Sequence, residues 1–336
     1  RETDWKTISY DRVKNILNMC GTNQAPINHA EYSLPTHGSS NFNECDFWLI
    51  VSDRTIKPLA PLKPYGMVIY DYIQRYVPEI FNSSFSDDAF LATARQAKFV
   101  LTTTPNTRED AIQYAGLTPY RTHLAPMEFD VSHRNTTPHT SSDDFFIWPS
   151  NLTPHKNHRN AIKALDIYYR QYNGKLKVLM TGSNTDIFNK TDNDDTINPY
   201  IAEVIALIEK LPHVRNNLKI VGNLLRDDYF SQLQAAKFLW HPAQIDNGTY
   251  AVVEAAWHGV PSLSSNYPQM HYINDRFELN LSFCQAMQPH DMAMQLKHME
   301  ETHLEKRQRL PTQEFLEQFS YKNVAPEYWN LIRGLI

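Results

Sequence analysis

The sequence predicts an α/β protein made of two doubly wound parallel-sheet domains. Three observations carry that expectation: short apolar runs alternate with amphipathic stretches from about residue 47 onward, the chain has 336 residues, and only 10 are Gly beside 20 Pro. Strands alternating with helices imply βαβ units and parallel pairing. At about 150 residues per domain, the length gives two domains. Scarce glycine disfavours folds built from many Gly-rich turns or repeats. At 42% apolar and 21% charged, the composition is that of a globular chain with enough apolar residues for two cores.

The predicted strands are Phe47–Val51, Gly66–Tyr70, Phe99–Thr102, Phe145–Trp148, Lys177–Met180, Leu218–Val221 and Phe238–Trp240. Between them, Asn157–Tyr172 repeats Ile162, Leu165, Tyr168, Tyr169 and Tyr172 at helical spacing. Ile197–Leu211 and Asp227–Ala236 are further helices, the second opened by an Asp227 cap. Tyr250–His258 is a short helix stopped by Gly259 and Pro261, and the last 45 residues are mostly helix-forming. Pro26, Pro35 and Gly38 break any long element in the first 45 residues. The polar stretch Val131–Asp144, with Pro138 inside it, separates the two halves.

Lys and Arg total 32 against 37 Asp and Glu, a net charge of −5, which argues against a nucleic-acid backbone as partner. There is no run of 18 apolar residues, so no transmembrane segment is expected. Arg1–Lys6 lacks the apolar core of a signal peptide. Cys20, Cys45 and Cys284 are too far apart for a zinc spacing or a disulfide framework, and six Asn-x-Ser/Thr sites would be exposed to glycosylation in a secretory route. A cytoplasmic setting is the expectation. Nucleophile-elbow, P-loop, dinucleotide and zinc-protease motifs are all missing. His155 and His158 lack a Cys or carboxylate partner nearby and are expected at the surface or in support of a site, not as metal ligands.

Ligands of doubly wound sheets bind beyond the carboxyl ends of strands, which selects four loops. Pro149–His158 carries Lys156 at a helix start, either a phosphate site or a capped turn with a solvated lysine. Thr181–Asn184, with Gly182, either admits a ligand to the backbone or is a plain turn. In Trp240–Pro261, Asp246 and Glu254 are seven residues apart, and Asn247, Gly248, Thr249 and Tyr250 open the following helix. Glu254 is ringed by Ala251, Val252, Val253, Ala255, Ala256 and Trp257, so a hydrogen-bonded carboxylate is favoured over a solvated one. In Pro261–Pro268, Ser264 and Ser265 either bond a diphosphate or cap the next helix.

These motifs resemble the retaining family 4 glycosyltransferases of the GT-B fold (glycosyl transferases group 1). The resemblance rests on residues 145–165, on the D-x7-E pair Asp246 and Glu254 followed by Gly259-Val260-Pro261, and on 68–79 and 97–130 in the first half. It covers about residues 65 to 335. It implies two Rossmann-like domains facing a cleft: an acceptor-side domain over 1–143, a donor domain over 144–312, and C-terminal helices over 313–336 that cross back to the first domain. By position, Lys156 would neutralise the donor diphosphate, Asp246 would bond the donor-sugar hydroxyls and Glu254 the ribose. Asn151, Asn247, Gly248, Thr249, Tyr250, Gly182, Ser264 and Ser265 would line the donor site. Tyr70, Asp71 and Thr104 would face the acceptor.

The implied activity is transfer of a hexose-type sugar from a nucleotide sugar to a hydroxyl acceptor (a glycan, lipid-linked glycan or protein). It would proceed with retention, by front-face attack, with no metal and no cofactor beyond the nucleotide-sugar co-substrate. A lipid-linked acceptor would place the chain peripherally at a membrane. Three positions depart from the family pattern: Asn151 stands where an Arg is frequent, Asp246 where Glu is usual, and Tyr70 where a His precedes the Asp. They motivate two alternatives, a catalytically degenerate binding or scaffold subunit and a sugar-nucleotide epimerase. No Gly-rich first strand–loop–helix is found in residues 1–45, and the chain begins with Arg1. The expectation is a piece of a longer chain or a reduced first domain.

Overall fold

The computed structural model describes residues 5–19, 31–35, 45–51, 57, 60–78, 88–129, 144–190, 198–247 and 249–336. The chain groups into two units, Arg1–Met127 with Pro326–Ile336, and Glu128–Ala325. The expected divisions at 143/144 and 312/313 therefore fall at 127/128 and 325/326 instead; most of the polar stretch 131–144 lies outside the described residues. The cause is aromatic packing. Phe129 pairs with Ser320, and its ring meets Trp257 and Phe277 edge-on at 5.8 and 6.0 Å. Phe319 lies 5.0 Å from the same Phe277 ring. Residues flanking both crossings thus belong to the second unit's core.

In the first unit, β1 (Trp5–Ser9) and β2 (Glu31–Pro35) pair antiparallel, with α1 (Tyr10–Met19) after β1. Ile8, Val13, Leu17, Tyr32 and Ala60 give this part its own small core. The sequence pattern missed all three elements. The main sheet is parallel, in the order β3 (Trp48–Val51), β4 (Tyr65–Ile69), β5 (Phe99–Thr102), β6 (Thr122–Leu124). Strands laid down in one direction with right-handed crossovers put their helices on a single face. Accordingly α2 (Asp88–Gln96) and α3 (Pro105–Gln113) cover Tyr65, Met67, Ile69 and Val100. The opposite face presents Phe99 and Leu101, and Ile332 of the C-terminal helix packs there. Gly66 makes room for the Phe99 ring, which would lie 2.4 Å from a Cβ at that position.

The second unit holds a six-stranded parallel sheet: β7 (Phe145–Pro149), β8 (Lys177–Thr181), β9 (Leu218–Ile220), β10 (Leu239–His241), β11 (Ser262–Ser265) and β12 (Ser282–Cys284). Its spatial order is β12-β11-β10-β7-β8-β9. The order reverses between β7 and β10, the feature that opens a crevice at the carboxyl ends of a doubly wound sheet. Trp148 and Trp240 meet at 5.0 Å and Phe146 stacks on Phe238 at 4.7 Å, all fully buried. At roughly 150–250 Å² each, such side chains contribute about 4–6 kcal/mol apiece by transfer from water.

Helices α4 (His158–Arg170), α5 (Pro199–Lys210), α6 (Pro212–Asn217), α7 (Arg226–Ala235), α8 (Ala251–Trp257), α9 (Pro268–Phe277) and α10 (Pro289–Gln308) complete the unit, followed by α11 (Gln313–Glu317). The expected Asp227 cap is corrected. Leu225 is the cap residue and makes no side-chain bond, while Asp227 and Asp228 sit in the first turn, where a negative charge favours the helix dipole. The last helix, α12 (Tyr321–Leu335), runs through Pro326, so its final residues are grouped with the first unit. Among the described residues, no helix is long and apolar enough to cross a membrane.

Candidate functional site

The two loops that flank the sheet's reversal point are held together by backbone. After β7 the chain makes one tight turn at Pro154–Lys156 and then places Asn157 in the left-handed region, at φ 64°. Asn tolerates that conformation better than most residues. Its buried amide donates to the carbonyls of Pro242 and Ala286 at 3.0 and 2.7 Å. The Gln244 N–H donates to the His155 carbonyl at 2.8 Å. Lys156 and Asp246, ninety residues apart, are thereby brought side by side.

They form a buried ion pair between Lys156 Nζ and Asp246 Oδ2, with side chains 14% and 7% exposed. Asp246 Oδ1 accepts from the Asn247 N–H at 2.8 Å. His241, at the end of β10, has Nε2 3.8 Å from Asp246 Oδ2 and 3.1 Å from the Tyr267 hydroxyl. Burial alone would raise the Asp246 pKa, but Lys156, His241 and His155 outweigh it and hold the group at about 2. Burial, reinforced by Lys156, pushes His241 down to about 3. At neutral pH the cluster is one carboxylate, one ammonium and a neutral imidazole. The solvated reading of Lys156 is excluded by this geometry, and His155 and His158 are buried rather than superficial.

The other expected donor-site residues divide into three groups. Asn151 is half-buried and uses its side-chain oxygen on the Thr153 N–H, 3.1 Å away, and on the Thr153 hydroxyl. Gly182 follows β8 with φ 137°, and a Cβ there would fall 1.7 Å from the Ser150 carbonyl oxygen; only glycine fits against the β7 loop. Asn247, Thr249 and Tyr250 are half-buried at the entrance to α8, and Gly248 lies outside the described residues. Tyr250 is the N-cap residue of α8, its side chain not bonded to the first turn of that helix, and the helix spans 251–257. Glu254 is half-buried, one turn in. Burial and the Glu254 charge raise the neighbouring Tyr229 phenol well above its ordinary pKa. Ser264 and Ser265 are corrected: they lie inside β11, fully buried, not in the loop after it. Ser264 pairs with His241 in the parallel register.

On the first sheet, Tyr70, Asp71 and Thr104 follow the carboxyl ends of β4 and β5. The Tyr70 carbonyl accepts from the Thr103 hydroxyl at 3.0 Å, and Asp71 Oδ1 accepts from the Ile73 N–H at 3.1 Å. Thr104 is the N-cap of α3, with Oγ1 accepting from the Thr107 N–H at 3.0 Å.

Sequence reasoning gave no role to His241, Tyr267 or Asn157. His241 was visible only as a polar residue at the end of an apolar run. Asn157 was visible only as the first residue of the helix after Lys156, which in the structure begins at His158. Among the described residues, no three His, Cys, Asp or Glu side chains are grouped to hold a metal ion.

Two parallel sheets, one reversing at a charged crevice, define the class first. Solved structures share the fold. HepE from Anabaena, determined in complex with UDP and glucose, is 18% identical, matches 81% of this chain and 72% of its own, and has a TM-score of 0.62. A glycosyltransferase from Rickettsia africae is 11% identical over 97% of this chain and 81% of its own, with a TM-score of 0.61. Sucrose-phosphate synthase from Thermosynechococcus elongatus is 14% identical over 81% and 68%, with a TM-score of 0.58. The fold is GT-B. Residues 132–314 match the family model of glycosyl transferases group 1, and the chain belongs to that family. A comparison with curated proteins gave no match.

Proposed function

We propose that this chain transfers a hexose-type sugar from a nucleotide-sugar donor to a hydroxyl acceptor on a glycan, lipid-linked glycan or protein, with retention and without a metal ion. The observation that carries the reading is the buried Lys156–Asp246 pair spanning the reversal point of the second sheet. Departure of a nucleoside diphosphate builds negative charge, and a fixed ammonium in a site of low dielectric stabilises that charge most. Lys156 supplies it. Asp246, ionised at any pH above about 2, accepts from sugar hydroxyls. Glu254 binds the ribose, with Asn151, Asn247, Gly248, Thr249, Tyr250 and Gly182 around the donor. Tyr70, Asp71 and Thr104 are the acceptor-side candidates. Family membership supports the reaction class, and UDP with glucose in the HepE structure supports the donor class. A cytoplasmic setting, at a membrane surface when the acceptor is lipid-linked, belongs to the same proposal.

One observation favours a second reading, a scaffold that has lost turnover. In the free chain the Lys156 charge is already matched by Asp246, and Asn151 adds none. Thermal-shift measurements with UDP, GDP, dTDP and ADP, then transfer and hydrolysis assays with sugars on the stabilising nucleotide, separate the readings. Stabilisation and turnover are expected. Stabilisation without turnover on any acceptor favours the scaffold, and no stabilisation by any of the four removes the donor site.

A further inference from the structure

Behind the donor loop lies a three-residue hydrogen-bond chain that the reading above does not use. Ser150 Oγ is 2.9 Å from His158 Nε2, and His158 Nδ1 is 2.9 Å from the Tyr200 hydroxyl. Ser150 is the first residue beyond β7, at the reversal point, in the same loop as Lys156. Its position is fixed from two sides: its N–H donates to the Thr181 carbonyl at 2.8 Å, and its own carbonyl fills the space left by the missing side chain of Gly182.

The hydrogen-bond partners assign the protons. Ser150 Oγ donates its one hydrogen to the Asn151 carbonyl at 3.2 Å, so towards the ring it is an acceptor. Nε2 therefore carries the hydrogen. Fully buried and with Lys156 and His155 nearby, His158 stays neutral and has a single N–H. Nδ1 is therefore an acceptor and the Tyr200 O–H donates to it. The Tyr200 oxygen in turn accepts from the His158 backbone N–H at 3.2 Å. The chain runs one way: Tyr200 O–H to Nδ1, Nε2–H to Ser150 Oγ, leaving the Ser150 hydroxyl hydrogen unused by the ring. Its resting acceptor is the long 3.2 Å contact to the adjacent carbonyl. An arrangement for nucleophilic attack is excluded, because a protonated Nε2 has no lone pair to take the serine proton.

We infer that Ser150 is a further donor-binding residue, its hydroxyl donating to a phosphate oxygen of the nucleotide beside the uncharged Asn151, with His158 and Tyr200 as positioning residues behind it. A phosphate oxygen is a stronger acceptor than a peptide carbonyl, and hydrogen bonds in series polarise one another. The inference rests on the donor reading above.

The test is calorimetric titration with inorganic pyrophosphate, with UDP, GDP, ADP and dTDP, and with the nucleoside of whichever diphosphate binds. Ser150→Ala is expected to weaken pyrophosphate and the nucleoside diphosphate about tenfold and to leave nucleoside affinity unchanged. Tyr200→Phe is expected to weaken the same two ligands about threefold. The double variant should bind like Ser150→Ala alone, because Tyr200 acts only through the serine; a merely structural role would add to it. Melting temperatures of the three variants check that each is folded. Unchanged phosphate affinity in folded Ser150→Ala overturns the inference, as does equal loss of phosphate and nucleoside. If Lys156→Ala weakens the diphosphate while Ser150→Ala does not, the donor reading stands and this inference alone fails. If the wild type binds none of the probes, both fall.

Discussion

The carboxyl ends of the two main sheets hold the same kinds of residue and use them differently. At the first sheet, Asp71 and Thr104 bond backbone N–H groups of their own loops, and the threonine caps a helix. At the second, Lys156, His155 and His241 surround one buried carboxylate, and backbone bonds from Asn157 and Gln244 hold that cluster together. Polar side chains that satisfy local backbone stabilise the turn they sit in. Polar side chains whose backbone is held by other groups remain available, pre-organised, for a ligand. That difference is why the second unit carries the functional reading.

Breaking the Lys156–Asp246 pair should have the largest effect. Lys156→Ala leaves Asp246 buried without its ammonium, and unpairing a buried ion costs about 3–5 kcal/mol. A drop in melting temperature and at least a roughly tenfold loss of turnover, about 1.4 kcal/mol of transition-state stabilisation, are expected. Lys156→Met with Asp246→Leu should recover most of the stability and none of the turnover. Activity that survives in the double variant would show that the pair is only structural. Asp71→Asn, the corresponding change at the first sheet, keeps an acceptor for the Ile73 N–H and should move stability by well under about 1 kcal/mol.

Gly182→Ala comes next. A Cβ 1.7 Å from the Ser150 carbonyl forces backbone movement at φ 137°, for a loss of about 3 kcal/mol or more. Gly259, at φ 72° with open space around it, gives the contrast: Gly259→Ala should cost only about 1–2 kcal/mol. Chemical denaturation of both variants tests whether the close approach of the two loops, and not the positive φ alone, sets the requirement for glycine.

The α/β alternation and the second unit's strands were legible because each rests on local pattern. Lys156, Asp246 and Glu254 were named together only through their resemblance to a family motif, and the ion pair between the first two, ninety residues apart, was not foreseen. Apolar runs mark strands wherever both faces are buried, as in Phe145–Trp148. The elements before residue 45 were not legible: β1 and β2 are short, antiparallel and separated by many residues. Ser264 and Ser265 misled because hydroxyls in a buried strand look in sequence like a polar loop. His241 and Tyr267 stayed hidden since their meeting depends on β10 lying beside β11, a long-range fact. The same holds for Ser150 and Tyr200, fifty residues apart and joined only through His158.

Acidification acts on both regions through imidazoles held below their ordinary value by burial, His123 on the first sheet and His158 and His241 in the second unit. Unfolded imidazoles bind a proton near pH 6.5, whereas burial holds His158 and His241 at about 3 in the folded chain. Between those values the unfolded state binds more protons, so stability falls as pH drops below about 6.5. Asp246 adds to the loss only between 3.8 and about 2. His241→Asn should remove about one proton from the slope, about 1.4 kcal/mol per pH unit, seen as a flatter melting temperature between pH 6.5 and 4. An unchanged slope would mean that His241 is not held neutral.

The smallest effect probes the first sheet. Thr104→Ala removes the α3 cap and should cost about 1 kcal/mol, while Thr104→Ser, which keeps the acceptor, should restore it. Turnover measured in the same pair sharpens the contrast between the two sheet ends. If Thr104 acts only as a cap, turnover in the alanine variant follows its stability and the serine variant is indistinguishable from wild type. If the hydroxyl also meets an acceptor, the alanine variant raises the acceptor KM at temperatures where it is fully folded. The cap oxygen accepts from the Thr107 N–H and also bonds the Thr107 hydroxyl, each at 3.0 Å, so a single lone pair or a single hydrogen remains for an acceptor and only the kinetic measurement divides the two roles.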